Sequence, residues 1–149
     1  MLGSPQSVYR LHQFEEELGI LLPSDYFEYM LTRNGGELMP DHFKFEHPIY
    51  GETIGVMGVL FGYLENRGDP LDIRLHLEIL RNRIPEKHLP IGGTANGDVL
   101  LLDVTNNGNG SVFLWDLENE DPTDSTHNMY LVSSSFGEFI KALFNNPYF

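Results

Sequence analysis

The sequence predicts an α+β domain: an antiparallel sheet of about 4–6 strands packed with helices at the N-terminus, in the middle and at the C-terminus. Three observations point there. Residues 19–36 spell a helix with both ends written in. Residues 89–133 hold four short apolar runs separated by turn signals. Residues 136–144 carry an apolar stripe at helical spacing.

Taken in order, residues 5–18 place Val8, Leu11, Phe14 or Glu15, and Leu18 near one helical face, with Ser4 and Pro5 as start signals and Gly19 as the stop. Pro23 opens the next helix, where a missing N–H costs nothing. Asn34-Gly35-Gly36 supplies the left-handed residues that end it. Tyr26 or Phe27, with Met30 and Leu31, forms its buried side, so the two helices should pack as a hairpin. The period then drops to two. Phe43 and Phe45 alternate with Lys44 and Glu46 as a half-buried strand, and residues 53–59 read as a second strand broken by Gly55 and Gly58. Asp69-Pro70 restarts a helix on Ile73, Leu77, Leu80 and Ile84, which Pro85 ends.

Strands are expected at residues 89–91, 99–104, 112–116 and 130–133. Asn96-Gly97 and the Asn-Gly run at 106–110 are placed to turn an antiparallel meander. Val99-Leu100-Leu101-Leu102 is apolar on both faces, as a central strand would be, with helices covering one side. Pro90 cannot donate to a ladder and is expected at a strand start or edge. Residues 116–128 read as a solvated acidic loop. Ser135-Phe136-Gly137-Glu138 is a capping box, followed by a core stripe of Phe136, Phe139, Ile140, Leu143 and Phe144. No internal repeat or linker is visible, so residues 1–149 are drawn as a single domain.

Three blocks in this order carry a family likeness over nearly the whole chain. They are Leu22-Pro23 through Tyr26 to Asn34-Gly35-Gly36; Ile84-Pro85 followed by Leu89-Pro90-Ile91-Gly92, Gly97-Asp98 and Val99 to Asp103; and Val112 through Trp115-Asp116, Leu131 to Phe136, and Phe139-Ile140. The pattern resembles the SUKH superfamily, the Smi/Knr-like fold. The shared positions Leu22, Pro23, Tyr26, Asn34, Gly35, Gly36, Pro90, Gly97, Trp115 and Phe136 describe a scaffold, and a scaffold does not fix a function. Trp115 is expected to be a buried anchor whose ring N–H finds a partner. The resemblance implies a bacterial immunity protein that neutralises a cognate toxin by binding it. Many toxins met by that superfamily act on nucleic acid through basic clefts. Because the superfamily also includes a fungal cell-wall and signalling regulator, the resemblance leaves open a non-enzymatic regulatory or scaffold role.

Charge supplies the second line of argument. The 149 residues carry 22 acidic against 9 basic side chains, a formal net of −13. Residues 1–66 hold ten acids and three bases, residues 67–87 four and five, and residues 88–149 eight and one. Such a field repels nucleic acid and anionic membranes and speeds encounter with a basic protein; it also serves solubility. Charge alone favours a basic protein partner, and the resemblance implies that this partner is a toxin domain. The candidate contact residues are Asp116, Glu118, Glu120, Asp121 and Asp124 in the acidic loop, with Asp98 and Asp103 at the neighbouring hairpin.

Reaction chemistry finds no foothold in the sequence. There is no cysteine, which fits a reducing cytoplasm. No signal-peptide pattern and no membrane-length apolar run occur. The six histidines show no ligand spacing, and His42 and His47 should fall on opposite faces of a strand. The acidic loop lacks the glycine and the final glutamate of a calcium loop. The Gly92 to Gly97 run lacks a phosphate loop's lysine and following helix, and no nucleophile elbow is present. The expectation is a binding module without catalytic residues, metal or cofactor.

Overall fold

A computed structural model describes residues 6–105 and 110–145. Ser7 starts the first helix: its hydroxyl accepts the Arg10 amide at 3.1 Å, so α1 runs Val8–Leu18, three residues shorter than the start signals at Ser4 and Pro5 predict. Those two residues, and the expected turn at 106–109, lie outside the described residues. Gly19, at φ +66°, closes α1 in the left-handed region. Next come α2 (Ser24–Thr32), β1 (His42–His47), β2 (Gly51–Leu60), α3 (Ile73–Ile79), β3 (His88–Thr94) and β4 (Val99–Asp103). The chain continues through β5 (Val112–Trp115), a 3-10 turn (Leu117–Asn119), β6 (Met129–Ser133) and α4 (Phe136–Ala142).

The six strands lie in sequence order and every neighbouring pair is antiparallel, so the sheet is a meander with α3 inserted between β2 and β3. Alternation along β4 and β5 sorts two apolar layers. Leu100, Leu102, Val112 and Leu114 join the main core with Leu11 and Phe14 of α1, Tyr26 and Met30 of α2, and Phe136 and Phe139 of α4. Leu101 and Trp115 point the other way and meet Leu80, with Ile84, Val99, Phe113 and Met129 around them. β4 is apolar on both faces because the chain just after α3 covers the second face.

Several expected boundaries move for local reasons. α3 stops at Ile79, and Asn82, at φ +64°, cannot extend a right-handed helix toward Ile84. β2 is one strand through Gly55 and Gly58, bulged between Met57 and Val59. Pro90 lies inside β3, opposite Leu101. It is tolerated there because the β2 ladder reaches only Gly92 and the β3–β4 register shifts between Pro90 and Gly92. α4 ends at Ala142, so Phe144 leaves the predicted stripe and bridges to His42, exchanging two backbone hydrogen bonds at 3.0 Å.

Polar side chains lock the joints between elements. Buried Asn34 accepts the Tyr63 amide at 2.7 Å and donates to the Tyr63 carbonyl at 2.8 Å. Asp25 accepts the Gly137 amide at 2.8 Å, fixing α4 on α2. Fully buried Asp72 takes the Leu64 amide and both Nε and a terminal nitrogen of Arg74. Burial alone would raise the Asp72 carboxyl, but these donors and the Arg74 charge outweigh it and hold it below its ordinary value.

Candidate protein-binding surface

The acidic loop is built by its own carboxylates. At the end of β5, Asp116 Oδ1 accepts the Glu118 amide, and Oδ2 accepts Asn119 Nδ2 at 2.6 Å and the Tyr130 hydroxyl at 3.0 Å. Asp98, arriving from the β3–β4 turn, accepts the Leu117 amide at 3.1 Å. Asp121 and Asp124 each fold a following threonine around one oxygen, taking the Thr123 and Thr126 amides and hydroxyls at 2.7–3.0 Å. Buried Asn128 closes the base by donating to the Asp116 carbonyl. Residues 116–128 are therefore not a simple solvated loop but a short 3-10 turn followed by two hydrogen-bonded turns.

Electrostatics separates the candidate acids into roles. The Asp121 and Asp124 carboxyls are held below the ordinary range by the Thr123 and Thr126 bonds, so both carry full charge at neutral pH. Glu120 is lowered by its two bonds to Arg83, at 2.9 and 3.0 Å, and is spent on that ion pair. Burial raises the Asp98 carboxyl, and the charges of Asp116 and Glu118 push it further. The Glu118 side chain is exposed. Asp103 does not join this group: it turns the chain at Thr105, at the far end of β4 from Asp98, about 17 Å away at the usual rise per strand residue.

A neighbouring feature went unread in the sequence. The β1–β2 turn exposes Ile49 and Tyr50 at 78% and 76% of their surface. His47 Nδ1 accepts the amides of both, at 3.1 and 3.3 Å, so that nitrogen carries no proton in this conformation. The His47 ring packs on Tyr50 at 4.6 Å and on Tyr130 at 5.1 Å, and Tyr130 in turn bonds Asp116. One chain of contacts thus joins an apolar tip to the acidic loop. The available signal was the apolar pair Ile49-Tyr50 standing between Pro48 and Gly51, where a turn is normally polar.

Among the described residues no three His, Asp or Glu side chains gather as an ion would need, and no helix is long and apolar enough to cross a membrane. Trp115 is fully buried, yet among the described residues its ring N–H has no hydrogen-bond partner, contrary to expectation; Arg83 lies over the ring at 5.6 Å instead.

A sequential antiparallel meander with helices over one face defines an α+β domain. The chain matches the SMI1 / KNR4 family (SUKH-1) over residues 8–142 and belongs to it. It is also similar to the SPbeta prophage-derived uncharacterized protein YokK of Bacillus subtilis (strain 168). The two are 24% identical over 150 residues, which cover 93% of this chain and 74% of that protein.

Proposed function

We propose that this protein is an immunity-type binding module, acting in the cytoplasm, that neutralises a basic toxin domain by occupying its active cleft and catalyses nothing itself. The observation that carries this reading is the fixed acidic loop beside exposed Ile49 and Tyr50, on a chain of net −13. Carboxylates already oriented by Thr123 and Thr126 give a partner a rigid anionic surface, with little further ordering to be done on binding. A nuclease-type cleft, shaped for phosphates, offers the complementary charge. The acids raise the encounter rate, and the apolar tip holds the complex once formed.

The test pairs this protein with basic, nuclease-type toxin domains, those of any neighbouring open reading frame first, in co-expression survival and in association kinetics across a salt series. Reversing Glu118, Asp121 and Asp124 to lysine should slow association at least about tenfold and flatten its salt dependence. Unchanged kinetics and survival would remove the acidic loop from the interface. Glu120 is left intact in this variant, because its loss would also release Arg83.

A further inference from the structure

A cleft of about 580 Å³ opens between the C-terminal end of α1 and the segment from α3 to the start of β3. Its lining is mixed. Leu18, Leu77, Leu80 and Ile84 give it an aliphatic wall, and four of the chain's nine cations, Arg67, Arg74, Arg81 and Lys87, line it as well. That volume is typical of small-ligand sites.

The cations divide into two kinds. Arg74 is consumed by Asp72 at 2.9 Å, and Arg67 pairs with Glu17 at 3.1 Å. Arg81 and Lys87 form no ion pair with any described residue; Lys87 Nζ reaches only the Gly19 carbonyl, at 3.4 Å. In a chain with 22 carboxylates, two unpaired cations lining one cleft run against its prevailing charge. Backbone geometry marks the same place. Asn82 (φ +64°) and Lys87 (φ +58°) are the non-glycine residues with positive φ among those described, and both line the cleft. Lys87 is held in that conformation while its carbonyl accepts the Val104 amide at 2.8 Å. A long side chain in the left-handed region is unfavourable, and such strain gathers at functional sites.

We propose that this cleft binds a monoanion with an aliphatic body, a carboxylate on a hydrocarbon stem, with Arg81 and Lys87 taking the carboxylate and Leu18, Leu77 and Ile84 taking the stem. The charge balance sets the class. Glu17, Glu78 and Glu86 also line the cleft; with Arg67 paired to Glu17 and Arg74 to Asp72, the cations left are Arg81 and Lys87, facing Glu78 and Glu86. A single carboxylate can take both free cations without adding more negative charge than they offset, whereas a polyphosphate would meet the repulsion of Glu78 and Glu86. Such a group comes either from a small acid or from the C-terminus of a peptide ending in leucine; the guanidinium fork of Arg81 suits both.

Titrating the full ¹⁵N-labelled chain with sodium hexanoate, with acetyl-alanyl-leucine and with the C-terminal amide of that dipeptide tests the assignment. The amides of Leu77, Arg81, Ile84 and Lys87 should shift and saturate with hexanoate, with the free dipeptide, or with both, and should not respond to the amide. Which of the two acids binds more tightly identifies the source. The double variant Arg81→Gln, Lys87→Asn should weaken binding about tenfold; asparagine tolerates the left-handed backbone, so the loop keeps its course. Absence of saturable shifts with either acid, an equal response to the amide, or unchanged affinity in a double variant whose remaining spectrum matches the wild type would each overturn the proposal. None of these outcomes depends on the toxin reading, because no protein partner is involved.

Discussion

Phe45 in the first strand and Tyr130 in the last stack with ring planes 2° apart and centroids 6.1 Å apart, although β1 and β6 share no ladder. The sheet therefore curls until its two edges face each other, and the His42–Phe144 bridge adds further cover to β1. Exposed edges invite pairing with other chains, and this curl leaves less free edge to offer.

Tyr130→Phe keeps the stack and removes only the hydroxyl that donates to Asp116. A hydrogen bond to a charged group is worth about 1.5 kcal/mol, and urea unfolding should show a loss of that order. Tyr130→Ala should lose about 3 kcal/mol or more, because the ring is buried. Burial, with the bond to Asp116 and its charge, pushes the Tyr130 phenol up to about 12. A raised folded value means the neutral phenol is favoured in the native state. That stabilisation is fully present below pH about 10, the unfolded value, and is lost as pH climbs through about 12. Tyr130→Phe should accordingly flatten the alkaline limb of the stability curve.

Two glycines separate steric from conformational need. Gly35 has φ +79°, and a Cβ there would lie 2.7 Å from the Leu60 carbonyl oxygen and 2.9 Å from the Phe61 carbonyl carbon. Gly97, at φ +88°, has nothing within 4 Å of its would-be Cβ. Gly97→Ala should cost about 1 kcal/mol from backbone strain alone. Gly35→Ala adds a clash with backbone that cannot move without breaking the Gly36–Leu60 bridge, and should cost about 3 kcal/mol or more. Equal midpoints for the two variants in denaturant would refute the distinction.

The same contrast explains which parts of the molecule were legible. Gly35, Gly97 and the Ser135 cap announce themselves because turn and cap chemistry is local, and the short, continuously apolar runs of β4 and β5 between turn signals need only their own residues. Pro90 and Trp115 were misjudged because their surroundings are set by chain far away in sequence. The extent of β2 decides whether Pro90 is tolerable, and Arg83 decides what covers the indole. In the candidate surface, the meander brings Asp98 onto the loop that Asp116 begins, as adjacent strand ends must. Asp103 was misplaced because a five-residue strand separates the two ends of a hairpin. The His47 to Asp116 chain was invisible, since it joins β1 to β6 across the curl of the sheet.

Asp98 carries a destabilising charge. Its carboxyl is raised by burial and by Asp116 and Glu118, so the ionised form opposes folding; its stabilising protonated form is present at acid pH and is lost as pH rises through the folded value. Asp98→Asn removes the charge and keeps an oxygen for the Leu117 amide. Thermal melts should show the variant above the wild type at pH 7, with the gap closing as acid protonates the native carboxyl. A variant less stable than the wild type at pH 7 would mean that the charge serves the turn, not a partner.

Trp115, the only tryptophan, makes the loop's anchor observable. Arg83 covers its ring and holds Glu120, with side chains 38% and 22% exposed, so the pair spans the solvent boundary and contributes on the order of 1 kcal/mol or less. Glu120→Gln should lower stability by that amount at neutral pH and shift the indole emission to the red as Arg83 loosens. Because the Arg83 bonds lower the Glu120 carboxyl, its contribution is present above the unfolded carboxylate range and disappears as pH falls through the depressed folded value. Wild type and variant should therefore converge in strong acid, in stability and in emission alike. Trp115→Phe forfeits no hydrogen bond, since the ring N–H has no partner, and should cost only what the lost volume costs, about 1–3 kcal/mol. A larger loss, or an emission maximum indifferent to Glu120→Gln, would show that the loop is held by something other than this pair.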